Sequence, residues 1–215
     1  QQYSYYRQRT IDLIDAPLVA VGDLGHWYGG VTPSKSNARY WEGGDIPWLA
    51  SMDVSDTSTR EIRGRVTRSA LAETSLRLIP APSVAVVMRS NILRRVLPID
   101  LIRVDTTINQ DMRSLVPKQG VDAEFVCQVL QSVSERIRDA CVRTDGSMAA
   151  VDSKALYAWK IPLPELGEQR HIAGQLQAFD ALTNDLSVGL PAELAARRRQ
   201  YEYYRDKLLT FEEAK

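Results

Sequence analysis

The 215 residues predict an α+β fold: a mixed globular body followed by a long coiled-coil-forming helix. Three observations carry that expectation. Short apolar runs bounded by Gly and Pro alternate in the body with amphipathic helical stretches. In the last quarter, Ile172, Leu176, Phe179, Leu186, Leu190, Leu194, Tyr201, Tyr204, Leu208 and Phe211 recur close to the three-and-four spacing of a coiled-coil seam. The phrase Gln200-Tyr201-Glu202-Tyr203-Tyr204-Arg205 also repeats Gln2-Tyr3-Ser4-Tyr5-Tyr6-Arg7, with Ser4 in the place of Glu202. A lone amphipathic helix would ordinarily pack on its own body; a repeat on both sides of the body instead suggests one unit of a tandem protein cut at a repeat boundary. Thr183 and Arg197 interrupt the seam. Gly189 and Pro191 fall where two four-residue steps follow each other, so the helix is expected in two pieces with a kink there. The expected division is 1–15 as the end of a preceding helix, 16–163 as the globular body and 164–215 as the long helix.

Within the body, Pro17 ends the opening helix and Leu18 to Val21 predicts a short strand before the Gly22-Asp23-Leu24-Gly25 turn. Gly29 to Asn37 is a loop of paired glycines, small hydroxyls and an amide, ending in Tyr40-Trp41 and followed by the strand Ile46 to Leu49. Trp41 and Trp48 are expected to pin it as a rigid platform. A helix near Ser69 to Leu76, a strand Ser83 to Arg89 and extended segments over Val96 to Val104 and Asp111 to Val116 follow. Asp122 caps a helix with Phe125, Val126, Val129, Leu130, Val133 and Ile137 inward. Arg143 to Ser147 forms a second polar loop, Ser153 caps a short helix, and Ile161-Pro162-Leu163-Pro164 stiffens the exit.

Composition bounds the function. With 44% hydrophobic and 25% charged residues the chain suits one core plus a helical extension. No run approaches the roughly 20 apolar residues that span a bilayer, so no membrane partner and a cytoplasmic location are expected. Cys127 and Cys141 lack metal-ligand spacing, and we expect reduced core thiols and no metal site. The net charge of zero hides an asymmetry: Arg60 to Arg103 holds nine Arg and three acids, a local +6. Such a stretch fits a surface that meets phosphates, or a solvated arginine-rich face.

Catalytic machinery for DNA is not evident. Glu213-Ala214-Lys215 has the spacing of two nuclease residues but sits on a charged tail, Gly22 and Gly25 lack the remaining glycine of a nucleotide fingerprint, and no Asn-Pro-Pro-Tyr-like phrase occurs. His26 reads as structural and His171 as a helix-surface residue.

Several phrases together resemble a known family. Gly30-x-Thr32-Pro33-Ser34, Tyr40-Trp41, Gly43-Gly44-Asp45-Ile46-Pro47-Trp48, Thr107-Ile108-Asn109-Gln110, Leu115-Val116-Pro117, the Gly146-Ser147 turn, Ile161 to Pro164 and Glu168-Gln169-Arg170 occur in order. The chain resembles a target recognition domain and conserved helical region of the specificity subunit of type I restriction–modification enzymes. One departure is Arg89-Ser90-Asn91-Ile92, where family members often carry a glycine. The resemblance implies a non-catalytic module that reads one half of a bipartite double-stranded DNA site and docks modification subunits, with the restriction subunit and a second specificity half or homodimer as further partners. It also implies that the chain binds no cofactor of its own, S-adenosylmethionine belonging to the modification subunit. The alternative is the recognition domain of a single-chain restriction enzyme–adenine methyltransferase; a third reading is a helical interaction scaffold with no nucleic-acid role.

The residues expected on DNA are Thr32, Ser34, Lys35, Asn37 and Arg39 in the first loop. Arg63, Arg65, Arg89, Asn91 and Arg94 follow in the basic region, and Arg143, Thr144 and Ser147 in the second loop. Arg suits guanine, Asn and Gln suit adenine, and hydroxyls suit phosphates. Leu176, Phe179, Leu186, Leu194, Tyr201 and Leu208 are expected to pair with another helix, which in a homodimer would read a palindromic site.

Overall fold

A computed structural model describes residues 10–54, 62–178 and Glu202. The chain divides into two compact units, 1–173 and 174–215. The described elements of the first unit run β1 (Leu18–Ala20), β2 (Gly25–Gly29), β3 (Ile46–Leu49), β4 (Gly64–Val66), α1 (Arg68–Glu73), β5 (Ser83–Val87), β6 (Ile99–Ile102), β7 (Thr107–Ile108) and β8 (Met112–Pro117), then α2 (Ala123–Ser132), α3 (Ser134–Cys141), β9 (Val142–Arg143), β10 (Ala150–Val151), α4 (Ser153–Ala158) and β11 (Lys160–Pro162). Short 3-10 turns at Val21–Asp23, Ala38–Tyr40 and Asn91–Arg94 complete it.

The central sheet is antiparallel in the order β2-β8-β5-β6. All five residues of β5 are buried, which explains why Val84 to Val87 reads as an unbroken apolar run rather than an alternating one. Helix α2 packs across β5 and β6. Asp122 caps it by accepting from the Phe125 amide at 2.9 Å, Phe125, Val126, Val129 and Leu130 are fully buried, and Gln131 Nε2 donates to the Ile99 carbonyl at 2.8 Å. The apolar spacing predicts one helix through Ile137; the structure breaks it at Val133. There Ser132 Oγ donates to the Gln128 carbonyl and Ser134 Oγ to the Gln131 carbonyl, at 2.7 and 2.8 Å. Such back-bonding competes with the helical ladder. Val133 and Ile137 nonetheless stay inward, as do the free thiols Cys127 and Cys141; burial raises the Cys141 thiol pKa, and nearby Asp152 adds to the rise.

A second, smaller sheet has the order β4-β3-β7, with β3 antiparallel to β4 and parallel to β7. Trp48, Ala50, Val66, Ala70 and Leu76 form its core. Sequence patterning missed β2. Gly25 there faces β8 so closely that a Cβ would lie 2.1 Å from the Val116 carbonyl oxygen, so the turn-like glycine serves close strand pairing instead. At α4 the expected Ser153 cap is corrected: Asp152 accepts from the Lys154 and Ala155 amides at 2.9 and 3.3 Å, and Ser153 is the first helical residue.

β1 pairs antiparallel with β11, setting Val19 opposite Ile161, and the Leu163 amide donates to the Pro17 carbonyl at 3.0 Å. The body therefore begins and ends on one ribbon. Residues 166–178 are helical. Gln169, 1% exposed, fastens the first turn of that helix: Nε2 donates to the Gly120 and Pro164 carbonyls at 3.0 and 2.8 Å, and Oε1 accepts from the Asp122 amide at 2.8 Å. One amide side chain thus joins the start of the terminal helix to the cap of α2. Leu176 is buried. Phe179, Leu186, Leu194, Tyr201 and Leu208, the expected kink and both copies of the repeat lie outside the described residues, apart from Glu202, which is helical and exposed. Among the described residues no helix is long and apolar enough to cross a membrane.

Candidate nucleic-acid interface

The first loop is built as a platform. Gly30 donates to the Met112 carbonyl at 3.4 Å and Val31 to the Ile108 carbonyl at 2.9 Å. A Cβ on Gly30 would sit 1.7 Å from the Asn109 carbonyl oxygen, so the backbone approach needs glycine there. Trp48 Nε1 donates to the Val31 carbonyl at 3.1 Å and Trp41 Nε1 to the Ser34 carbonyl at 3.0 Å. The two indoles meet edge to face with centroids 5.1 Å apart. The expected pins are therefore present, each holding a different carbonyl of the loop. Ser34 and Ser36 hydroxyls bond each other at 2.9 Å, and Asn37 Oδ1 accepts from the Arg39 amide at 3.2 Å.

The turn between β7 and β8 links this platform to the basic region. Asn109 shapes it, Oδ1 accepting from the Asp111 amide at 3.2 Å and Nδ2 reaching Ser51 Oγ at 3.4 Å. Thr32 Oγ1 donates to Gln110 Oε1, Gln110 Nε2 donates to Asp111 Oδ2 at 3.2 Å, and Arg89 Nε donates to Asp111 Oδ1 at 2.9 Å. The Arg89 amide also bonds the Asp111 carbonyl at 3.2 Å.

The basic region is in turn stitched to the second loop. Ser90 N donates to the Ala149 carbonyl at 3.0 Å, and Arg94 Nη1 and Nη2 reach the Thr144 and Gly146 carbonyls at 3.4 and 3.3 Å. Arg143 pairs with Asp152. The Asp152 carboxyl is held below its usual range, first by the Ala155 amide, then by that of Lys154, with Arg143 adding to them. At Arg89-Ser90-Asn91-Ile92, Ser90 Oγ accepts from the Ile92 amide at 3.4 Å and opens the 3-10 turn Asn91–Arg94.

These hydrogen bonds thus gather four segments of the chain, the 29–37 loop, the 89–95 segment, the 109–111 turn and the 143–149 loop. Of the residues expected on DNA, Ser34, Lys35, Arg39, Arg63, Arg65, Arg89, Asn91, Arg94, Arg143, Thr144 and Ser147 are exposed, and Thr32 and Asn37 half-buried. Among the described residues the side chains of Lys35, Asn91 and Ser147 make no hydrogen bond or ion pair. Others are engaged: Arg39 with Glu73 at 2.9 Å, Arg65 with the Ile62 and Gly64 carbonyls at 2.8 and 3.3 Å, and Arg63 with Asp53. Asp53 is 3% exposed, accepts from Arg63 Nη2 at 2.9 Å and from the Ala50 amide at 3.3 Å, and would be a buried, uncompensated charge without Arg63. Arg63 therefore has a structural duty at the 50–53 turn. Sequence reasoning missed Gln110, Asp111 and Arg113 as site residues. The Arg113 guanidinium lies across Gly29, where a glycine Cβ would be 2.3 Å from Nη1. A polar Asn-Gln-Asp run directly after the Thr107-Ile108 strand was the available signal.

Comparison with known proteins decides the family. The family model described as "Type I restriction modification DNA specificity domain" matches residues 16–196. The chain belongs to this type I specificity family. The Escherichia coli EcoR124I/EcoR124II specificity subunit is 41% identical over 213 residues, covering 98% of this chain and 53% of that protein. The MjaIX specificity subunit of Methanocaldococcus jannaschii is 31% identical over 176 residues, 78% of this chain and 38% of that protein. The chain thus spans about half, or less, of the length of the specificity subunits it matches. In fold it is similar to a chain from a type I R-M assembly, with TM-score 0.70 and 18% identity over 96% of this chain and 51% of that one. It is also similar to the HsdS subunit of Thermoanaerobacter tengcongensis, with TM-score 0.64 and 18% identity over 87% and 46% of the two chains. The mixed α and β body expected from sequence is therefore a specificity-domain fold.

Proposed function

We propose that residues 16–163 read one half of a bipartite DNA site and that the helical region beyond them docks modification subunits, which bind S-adenosylmethionine and transfer the methyl group. The observation that carries the reading is the hydrogen-bonded continuity of the 29–37 loop, the 109–111 turn, the 89–95 segment and the 143–149 loop. Exposed donors and acceptors fixed on a rigid sheet suit base-edge recognition, because ordering costs are met in the fold rather than on binding. Membership of the specificity family supports the same reading. The further elements of the proposal are pairing of the terminal helix with a second specificity half or a second copy, association with the restriction subunit, and a cytoplasmic setting.

A methylation assay tests the division of labour. With target DNA and S-adenosylmethionine, the full-length protein alone is expected to give no methyl transfer, and addition of its modification subunits is expected to give turnover. Methyl transfer by this chain alone would overturn the proposal.

A further inference from the structure

Arg89 differs from the other basic candidates in how its guanidinium is held. Nε donates to Asp111 Oδ1 at 2.9 Å, while among the described residues Nη1 and Nη2 make no hydrogen bond. Its side chain is 56% exposed and that of Asp111 17%. Asp111 is itself oriented through its second oxygen, which accepts from Gln110 Nε2 at 3.2 Å, and Gln110 is oriented by the Thr32 hydroxyl. The relay Thr32, Gln110, Asp111, Arg89 therefore fixes a guanidinium plane and leaves its outer edge open.

Two physical consequences separate this arginine from a phosphate clamp. The carboxylate offsets the charge of Arg89, so the pair adds little to the salt-sensitive attraction to phosphates. Fixed orientation, in contrast, is what a bidentate contact needs: two parallel N–H groups presented end-on match the O6 and N7 acceptors of guanine. We propose that Arg89 reads a guanine in the major groove and that Asp111, held by Gln110 and Thr32, is its positioning residue. This inference rests on the DNA-reading function proposed above.

The test is selection of bound sequences from a random duplex pool by the full-length protein, with salt titrations on a non-cognate duplex. Arg89→Lys keeps the charge and loses the planar fork. It is expected to lose guanine preference at one position by roughly 5- to 150-fold, leaving the other selected positions and the salt slope as in the wild type. Asp111→Ala is expected to lose the same guanine, while non-cognate binding strengthens and the salt slope steepens by about 0.9, because Arg89 is freed from its counter-charge. The double variant should be no worse than Arg89→Lys alone, since both act on one contact. If Asp111→Ala does not fold, Asp111→Asn takes its place; with an oxygen left to accept from Nε, it should keep part of the preference. A guanine column that survives Arg89→Lys, or an Asp111 variant that folds yet leaves both the column and the salt slope unchanged, overturns the assignment. Failure of the wild type to enrich any sequence would instead overturn the DNA-reading function itself.

Discussion

Trp48→Ala is expected to lower stability by about 3–5 kcal/mol, the range for truncating a buried aromatic, and to abolish sequence-specific DNA binding. The indole is 9% exposed, sits in the small core with Val66, Ala70 and Leu76, and donates to the Val31 carbonyl at 3.1 Å. Its removal opens a cavity, releases one loop carbonyl and takes away the edge-to-face partner of Trp41. Denaturant unfolding followed with a binding assay checks both parts. Trp41→Ala provides the comparison: Trp41 is only half-buried, so stability should fall less, while release of the Ser34 carbonyl still loosens the loop. The two pins should thus separate stability from recognition.

The second large effect is at Gln169. Gln169→Ala leaves the Asp122 amide and the Gly120 and Pro164 carbonyls without their partner, at about 1–3 kcal/mol for each such group left dry. Water entering the space reduces the sum, and a net loss of at least about 2 kcal/mol is expected. Gln169→Glu is the sharper variant, because a carboxylate can still accept from Asp122 but cannot donate to two carbonyls. It should be destabilised nearly as much as the alanine variant, measured by denaturant midpoint. A Glu variant as stable as wild type would show that the single accepted bond suffices to hold the helix start.

These two residues also mark what was legible in the sequence. Trp41 and Trp48 stand out because large aromatics flanking a Gly-rich polar loop have few other uses, and the strand Ile46–Leu49 coincides with its sequence boundaries. The α2 cap at Asp122 was visible for the same kind of reason, a short acidic side chain placed just before an apolar helical repeat. Gln169 stood out only within the Glu168-Gln169-Arg170 phrase of the resemblance, which did not point to its bonding role. Its role depends on Gly120 and Asp122, nearly fifty residues away, and a glutamine on a helix otherwise looks like a solvated one. The break at Val133 was hidden because apolar spacing persists through it, while the serine hydroxyls that compete with the helical ladder carry no periodicity.

The charge asymmetry was legible only in part. Arg63, Arg89 and Arg103 belong to the basic run, yet they pair with Asp53, Asp111 and Glu124, all outside it. Net charge along a stretch counts neighbours in sequence, whereas phosphate attraction depends on neighbours in space. The basic run is therefore less basic in the fold than in the sequence, and directional donors held in place weigh more than net charge in the proposed recognition. Gln110 and Asp111 matter for that reason, although neither adds positive charge.

The 29–37 loop, the 89–95 segment, the 109–111 turn and the 143–149 loop are expected to form one DNA-binding face, and amide hydrogen exchange on the full-length protein, with and without the DNA it selects, checks this. Binding is predicted to slow exchange in all four segments together and to leave the β1–β11 ribbon and α3 unchanged. Protection confined to the β1–β11 ribbon and α3, with the four loops exchanging as in the free protein, would contradict it.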